Sequence, residues 1–396
     1  MPLVLWTDWQ VNIMIKSKIQ QIFDYGWKDY LSTYNPSPVQ SKAAYSIMEC
    51  KSGKLGCNIS ICQDCGYTDI HNNSCRNRNC PNCQAVLKEL WIDKRKSEVI
   101  DTPYFHVVFT IPAELNALVY SNQKLLYSLL HRCSAETLLE LSANKKYLGA
   151  TPGIIQVLHT WGQELNFHPH IHCIVSGGGL TSDQKLKSCG KGFFLPAKVM
   201  ASKFRGKLLS NLDSYYHASK LSFSSCSKLR NSYEWKELKN KLYQKVWCPD
   251  IRETFNGFGN AIEYLGRYTH KIAITNTRIR NVTSAHVTFT AKDYKNNSVI
   301  KNVTVTCKEF IRRFMMHVLP SGFQKIRYYG LLNNRSKQKN LKVIFKIQGH
   351  QKFMAKYQDL SMGQLLKQLW NINICICPEC GCSNLKPAGR IYAMRN

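Results

Sequence analysis

The chain has 396 residues, 44% of them hydrophobic and 11% aromatic, too long for one small core and too apolar for a disordered chain. Lys and Arg number 54 against 25 Asp and Glu, a formal charge of +29, which favours polyanionic partners, above all nucleic acid, through counterion release. No apolar run approaches a bilayer span, and the first residues show neither a basic n-region nor a small-residue cleavage site, so the sequence reads as that of a cytoplasmic protein with no membrane partner.

In chain order, residues 10–50 read as helical, with Pro36 and Pro38 as breakers. Residues 51–84 are short, polar and rich in Cys and Asn, which suits a metal-stapled module. Residues 85–100 return to helical spacing. A Val- and Phe-rich strand is expected at 105–111, closed by Pro112, and a helical stretch at about 113–144. Segments 154–160 and 170–176 read as strands joined by WGQELNFHP. A triplet, Gly177–Gly178–Gly179, then reads as the end of a buried strand and a tight turn, with room for a phosphate backbone as the alternative. A polar, basic insertion runs over about 182–247, with helices at 201–220 and 231–246. A short helix is expected at 259–271, strands at 272–279 and 285–291, and a helix at 307–319. Residues 322–346 are strongly basic, and the tail from about 360 ends in cysteines.

The 17 cysteines are clustered. Seven lie between Cys50 and Cys83, and four between Cys375 and Cys382. CxxC spacing without a secretory signal reads as zinc binding in a reducing compartment. The pattern Cys62-x2-Cys65-x14-Cys80-x2-Cys83 offers four thiolates for one tetrahedral, structural zinc. Cys57, Cys75 and His71 are spare donors, and Arg76, Arg78 and Lys88 nearby suit either DNA contact or a purely architectural module. Cys375, Cys377, Cys380 and Cys382 look like half a zinc knuckle. They stand too close together to wrap one ion, so a second zinc would take a partner from elsewhere in the chain or from another chain, and the lack of a second zinc is an equal alternative.

His168, His170 and His172 alternate in HPHIHCIVSGGGL. On a strand, residues i and i+2 share a face roughly 6.5–7 Å apart, so His170 and His172 project together and could hold a metal with positions left open. Such a pair alone is equally compatible with two unrelated histidines. In AIEYLGRYTHK, Tyr264 and Tyr268 share a helix face, while Ile262, Leu265 and Thr269 form the opposite stripe. Arg267 and Lys271 stand beside them, where cations would bind phosphate and favour phenolate. The alternative is a pair of ordinary surface tyrosines. Lys325 and Arg327, with Tyr328, Tyr329 and Phe345 interleaved, suit single-stranded DNA, although a solvated basic surface would look similar.

SCRNRNCPNCQ, PYFHVVFTIP, VLHTWGQELNFHPH, HPHIHCIVSGGGL, YLGRYTHKIAITNTRI and HVLPSGFQKIRYYG, in this order along residues 20–335, together resemble the HUH two-tyrosine transposases of bacterial insertion sequences, the insertion sequence ninety-one group. One departure is Asn79, where the family pattern leads one to expect His. The resemblance implies an α+β chain. Residues 1–100 would be an N-terminal helical and zinc-binding domain, 101–335 an HUH endonuclease domain with an antiparallel sheet, and 336–396 a basic tail. It implies Mg²⁺ or Mn²⁺ on His170 and His172, with Gln163, His159 or His168 as a possible third ligand. His270 is less suited, because it faces away from Tyr268. Tyr264 and Tyr268 would attack single-stranded DNA at the element's ends and form a 5′-phosphotyrosine, in a rolling-circle route inside a bacterial cell, at the nucleoid. The partners implied are the element's single-stranded ends and target DNA. A plasmid replication initiator or relaxase would share this chemistry. A non-catalytic zinc-finger regulator would leave the histidine and tyrosine pairs unexplained.

Overall fold

Ser17 and Ser37 each open a helix through a reciprocal capping box, with Gln20 and Gln40 returning a hydrogen bond to the cap. The computed structural model describes residues 16–190, 195–247, 249–253, 266, 273–293, 296–349 and 354–393. Helix α1 (Lys18–Thr33) buries Ile19, Ile22, Phe23, Gly26, Trp27 and Tyr30, a stripe at helical spacing. Helix α2 (Pro38–Glu49) starts on Pro38, whose missing N–H is harmless there. The order continues β1 (Gly56–Cys62), β2 (Thr68–Asn72), α3 (Gln84–Lys96), β3 (Tyr104–Thr110), α4 (Asn116–Ser121), α5 (Gln123–Ala143), β4 (Thr151–Trp161), β5 (Phe167–Leu180) and β6 (Leu186–Ser188). Next come α6 (Ala197–His217), α7 (Ser232–Gln244), β7 (Asp250–Glu253), β8 (Ile279–Val282), β9 (His286–Asp293), β10 (Val299–Thr306) and a helix at Cys307–Met315. Strand β11 (Ile326–Gly330), helices Lys337–Gln348 and Met362–Trp370, and β12 (Leu385–Tyr392) complete the described elements. The class is α+β, as expected. Among the described residues no helix is long and apolar enough to cross a membrane.

Two compact units interleave along the sequence. One comprises Met1–Cys83, Ile274–Met315 and Leu360–Asn396, the other Gln84–Ala273 and Met316–Asp359. The expected boundaries at 100 and 335 do not follow this division. The reason is long-range pairing: β12 joins the sheet of β1, and the Cys307–Met315 helix packs on α1. A Cβ on Gly26 would lie 2.8 Å from Cys307 Cβ, so glycine permits that close helix contact. The first unit holds two three-stranded antiparallel sheets, ordered β12-β1-β2 and β10-β9-β8.

The second unit is built on a six-stranded antiparallel sheet ordered β11-β4-β5-β3-β7, with β6 alongside β5. Strand alternation divides its side chains between two cores. Phe105, Val107 and Phe109 of β3, Ile154 and Leu158 of β4, and Ile171, Cys173 and Val175 of β5 pack under α5 and α6. On the other face, Tyr104, Ile155, Val157 and Ile174 pack with Ile92 of α3 and with Leu341 and Ile344 of the Lys337–Gln348 helix.

Several local expectations are corrected. Residues 182–247 are no peripheral insertion: Phe204, Leu208, Leu209, Leu212, Trp235 and Leu242 complete the core under α5. The segment at 276–278 is a 3-10 turn, with the strand beginning at Ile279. An additional strand, Val299–Thr306, escapes periodicity because its first four residues are exposed on both faces. Gly177–Gly179 form no turn. Strand β5 runs straight through them to Leu180, and all three are buried. A Cβ on Gly177 would lie 2.7 Å from the Phe105 ring and 2.8 Å from Cys189 Sγ, one on Gly178 would strike Thr102, and one on Gly179 would strike the Thr151 carbonyl. The triplet therefore serves close strand packing and leaves no opening for a phosphate. Gly179→Ala is expected to destabilise the chain by about 2 kcal/mol through overpacking against backbone. Gly190→Ala, where a Cβ meets nothing within 4 Å, is expected to be neutral. Denaturant unfolding of the two variants checks the contrast.

Candidate functional site

His170 and His172 lie on β5, two residues apart and on one face. The register sets His159 of β4 opposite His170, and Val108 of β3 opposite His172. The two Nε2 atoms stand 3.0 Å apart. His170 Nδ1 donates to the His168 carbonyl at 2.7 Å, and His172 Nδ1 shares a hydrogen bond with His106 Nε2 at 2.9 Å. These Nδ1 contacts orient each ring so that its Nε2 points at the other. Metal-binding imidazoles are commonly held in this way by a partner on the second nitrogen.

The donor set fits a cation. Two cis ligands at about 2.1 Å in an octahedron stand about 3.0 Å apart, the separation seen here. His159, His170 and His172 offer ligand atoms that all lie within 4.8 Å of one another. Burial pushes His170 and His106 down to about 4, and burial together with neighbouring His170 and His106 pushes His172 well below its usual range. All three rings are therefore neutral near pH 7, the form that ligates metal. Of the three candidates for a third ligand, the structure brings His159 to the pair. His168 contributes its carbonyl to His170, with its ring 5.1 Å from the His170 ring. Gln163 lies in the turn between β4 and β5. His159 could not be chosen from sequence, because its place depends on the pairing register of β4 with β5.

Trp161 stacks on His159 with centroids 4.5 Å apart, and Lys325 Nζ sits 4.9 Å from the Trp161 ring centre. Lys325 thus stands at the rim of the histidine cluster. Arg327 does not. It donates to Ser128 Oγ at 3.0 Å and lies over the Phe323 ring, against the α5 face of the sheet. The aromatics expected to stack on bases are also engaged within the fold. Tyr328 Oη accepts from Arg95 at 2.6 Å and from Trp91 at 3.0 Å, while Tyr329 and Phe345 pack against the two cores.

Tyr264, Tyr268, Arg267, Lys271 and His270 lie outside the described residues. Gly266, between the tyrosines, is described: it is helical and buried. A Cβ there would strike the Ile92 side chain of α3. Ile92 belongs to the core on the histidine-bearing face of the sheet.

The cysteines regroup. Cys62 and Cys65 do not meet Cys80 and Cys83. Instead Cys50, Cys75, Cys80 and Cys83 form one four-sulfur group, and Cys62, Cys65, Cys377 and Cys380 another. The physical cause is the β1–β2 hairpin. A seven-residue strand spans about 20 Å, so Cys62 and Cys65 at the hairpin tip are carried away from Cys50 and Cys75 at its base. Cys50 Sγ and Cys75 Sγ lie 3.5 and 3.6 Å from Cys83 Sγ. Cys57 and His71 belong to neither group, and His71 pairs with Asp69. At Asn79 the side chain donates to Asn77, so it is held without a metal.

Two further buried histidines of the second unit give a pH dependence. Burial pushes His131 down to about 3 and His317 to about 4, from an ordinary 6.5. The folded chain keeps them neutral while the unfolded chain protonates them near 6.5. Stability is therefore present above about pH 6.5 and is lost as pH falls toward 4, by up to about 1.4 kcal/mol per pH unit for each histidine. Denaturation midpoints at pH 7.5 and 5 check this, and His317→Gln is expected to flatten the slope.

Comparison with known proteins gives the family. A family model described as "Putative transposase" (Y2_Tnp) matches residues 153–340, and one described as "Transposase zinc-binding domain" of the IS91 type matches residues 22–111. The chain is 41% identical over 307 residues to "Putative transposase y4qJ" of Sinorhizobium fredii, covering 77% of each chain. It is 26% identical over 313 residues to "Transposase for insertion sequence element IS801" of Pseudomonas savastanoi pv. phaseolicola, covering 78% of this chain and 74% of that one. No solved structure matches. The zinc-type cysteine groups, the antiparallel sheet with its histidine cluster, and this extent of similarity place the chain in the IS91 family of insertion-sequence transposases.

Proposed function

We propose that the chain nicks and rejoins single-stranded DNA at the ends of its element through a 5′-phosphotyrosine intermediate, in a rolling-circle transposition. The observation that carries this reading is the face shared by two features. His159, His170 and His172 converge on one side of the sheet, and Gly266, between Tyr264 and Tyr268, packs on the helix that covers that side.

In this reading the Tyr264 or Tyr268 oxygen attacks phosphorus. The bond to the 3′ oxygen breaks, and that oxygen leaves as a 3′ hydroxyl once protonated. The tyrosyl phosphodiester conserves the bond energy for rejoining, so no nucleotide cofactor is required. Arg267 and Lys271 favour the phenolate and bind phosphate, and the second tyrosine accepts a second strand while the first is occupied. A divalent ion, Mg²⁺ or Mn²⁺, bound by His170, His172 and His159 would neutralise charge on the scissile phosphate. The three imidazoles, the donors grouped there among the described residues, favour Mn²⁺ over Mg²⁺, which prefers oxygen donors. Lys325, beside Trp161 at the rim, would meet the DNA backbone, whereas Arg327 is committed to Ser128 and Phe323. Zinc on Cys50, Cys75, Cys80 and Cys83 would be structural, since four thiolates leave no open position.

The test incubates the protein with an end-containing single-stranded oligonucleotide and Mn²⁺. A covalent protein–DNA adduct is expected, absent from the Tyr264→Phe/Tyr268→Phe variant. An adduct that survives the double change removes the nucleophile assignment. Cleavage without any adduct would indicate attack by water, and binding without cleavage a regulator. A replication initiator or relaxase would act equally well on DNA lacking the element's ends.

A further inference from the structure

We propose that the chain carries a second zinc centre, split between two segments more than three hundred residues apart in sequence: Cys62 and Cys65 at the tip of the β1–β2 hairpin, and Cys377 and Cys380 before β12. The matched zinc-binding domain ends at residue 111, so it contains only one half of this centre.

Four observations support it. First, the two halves are the same turn. Cys62-Gln-Asp-Cys65-Gly66 and Cys377-Pro-Glu-Cys380-Gly381 share CxxCG spacing. Gly66 N donates to the Cys62 carbonyl at 3.0 Å, and Gly381 N to the Cys377 carbonyl at 2.9 Å. Both glycines adopt the left-handed conformation, with φ of 72° and 73°, which a residue with a Cβ adopts at a cost. Each turn thus presents two sulfurs from a closed loop of backbone.

Second, the sulfur spacing suits zinc. Cys62 Sγ lies 3.7 Å from Cys380 Sγ, and Cys65 Sγ 3.7 Å from Cys377 Sγ. Four thiolates at about 2.3 Å from a tetrahedral zinc stand about 3.8 Å apart. Cys382 Sγ, 3.2 Å from Cys62 Sγ, is an adjacent spare, and Cys375 lies outside the group.

Third, the backbone around the cluster joins the same segments. Strand β12 pairs with β1 from Cys62↔Leu385 to Gly56↔Tyr392. Gln63 N donates to the Asn384 carbonyl at 3.1 Å, and Asn384 Nδ2 donates to Asp64 at 2.7 Å.

Fourth, β12 is held to β1 by hydrogen bonds and hardly at all by apolar burial. Apart from half-buried Leu385, its residues are exposed, so apolar burial contributes little to its docking. A strand added to a sheet edge with so little buried surface needs another anchor, and a tetrathiolate zinc at its base supplies one. Loading the centre therefore fixes β12 onto β1, and losing it releases that segment.

The test does not depend on the DNA chemistry, because it reads metal and order. The full-length chain is expected to contain two zinc ions by elemental analysis. Cys377→Ser/Cys380→Ser is expected to contain one, retained by the Cys50 group, and to be cut by a protease between about residues 371 and 393. Cys375→Ser is expected to keep both ions and resist cleavage. A wild-type chain with one zinc, or a double variant that keeps the wild-type zinc content, overturns the proposal. Should the double variant lose both ions, cobalt reconstitution of the wild-type chain decides. Thiolate-to-cobalt charge-transfer absorption equivalent to eight thiolates per chain supports the split centre, and that of four overturns it.

Discussion

His170→Ala is expected to lower metal-dependent strand cleavage by about a thousandfold or more. The imidazole it removes is one of two whose Nε2 atoms face each other at 3.0 Å, and an ion that stabilises a transition state by several kcal/mol contributes about tenfold in rate per 1.4 kcal/mol. His106→Ala is expected to act differently. His106 offers no atom to the three-histidine group; it holds His172 by the Nδ1 contact at 2.9 Å. Losing such a support typically costs 10–100-fold in metal affinity, so saturating Mn²⁺ should restore most of the rate in His106→Ala and very little in His170→Ala. Cleavage rates measured across a Mn²⁺ titration separate the two. A His170→Ala rate close to wild type at saturating metal would sink the ligand assignment, and a His106→Ala defect that no metal concentration repairs would make His106 more than a support.

The contrast between those two histidines also shows which features local sequence carries. The alternation of His170 and His172 needs only the period of a strand, and it was legible at once. His159 and His106 reach the same face from β4 and β3 through strand register, which no local pattern encodes. The cysteines behave likewise. CxxC spacing identifies each half of a zinc site, but which halves combine depends on the seven-residue strand between them and on the pairing of β12 with β1. Counting residues therefore joined Cys62 and Cys65 to Cys80 and Cys83, whereas the fold joins them to Cys377 and Cys380. The α1 stripe is legible because apolar periodicity is local, whereas Pro38 reads as a breaker and in the fold opens α2 behind the Ser37 cap, and the helices Lys337–Gln348 and Met362–Trp370 lie in stretches that read only as basic or cysteine-rich. Gly177–Gly179 misled for the opposite reason. A glycine run suggests a turn by conformational freedom, but here the missing Cβ atoms matter because neighbouring chain occupies their places. The basic stretch misled in the same way, since charge composition does not reveal that Arg327, Tyr328 and Lys337 have partners inside the fold.

One of those partners gives the largest stability effect expected in the chain. Glu98 Oε1 receives Arg95 at 2.7 Å and Lys337 at 2.6 Å, and the three side chains are only 9%, 6% and 11% exposed. Arg95 also donates to Tyr328 Oη at 2.6 Å, so the cluster links the end of α3, strand β11 and the Lys337–Gln348 helix. Glu98→Gln leaves two nearly buried cations beside each other with no opposing charge. Removing one member of a buried pair costs about 3–5 kcal/mol, which for a unit of this size corresponds to a fall of roughly 10 °C in Tm. The exposed pair Lys185–Asp183, with side chains 79% and 57% exposed, provides the contrast: Asp183→Asn is expected to melt with the wild type, as for solvent-screened pairs. Adding Lys337→Met to Glu98→Gln removes one stranded cation and keeps the apolar stem, so the double variant is expected to be more stable than Glu98→Gln alone. Thermal unfolding of the three variants and the wild type reads this order, and a Glu98→Gln chain that melts with the wild type would mean that water reaches the cations and the network is not the anchor of α3. Because α3 also carries Ile92, against which Gly266 packs, the same substitution is expected to reduce adduct formation at temperatures well below its Tm, through looser placement of Gly266 and with it the segment that holds the two tyrosines.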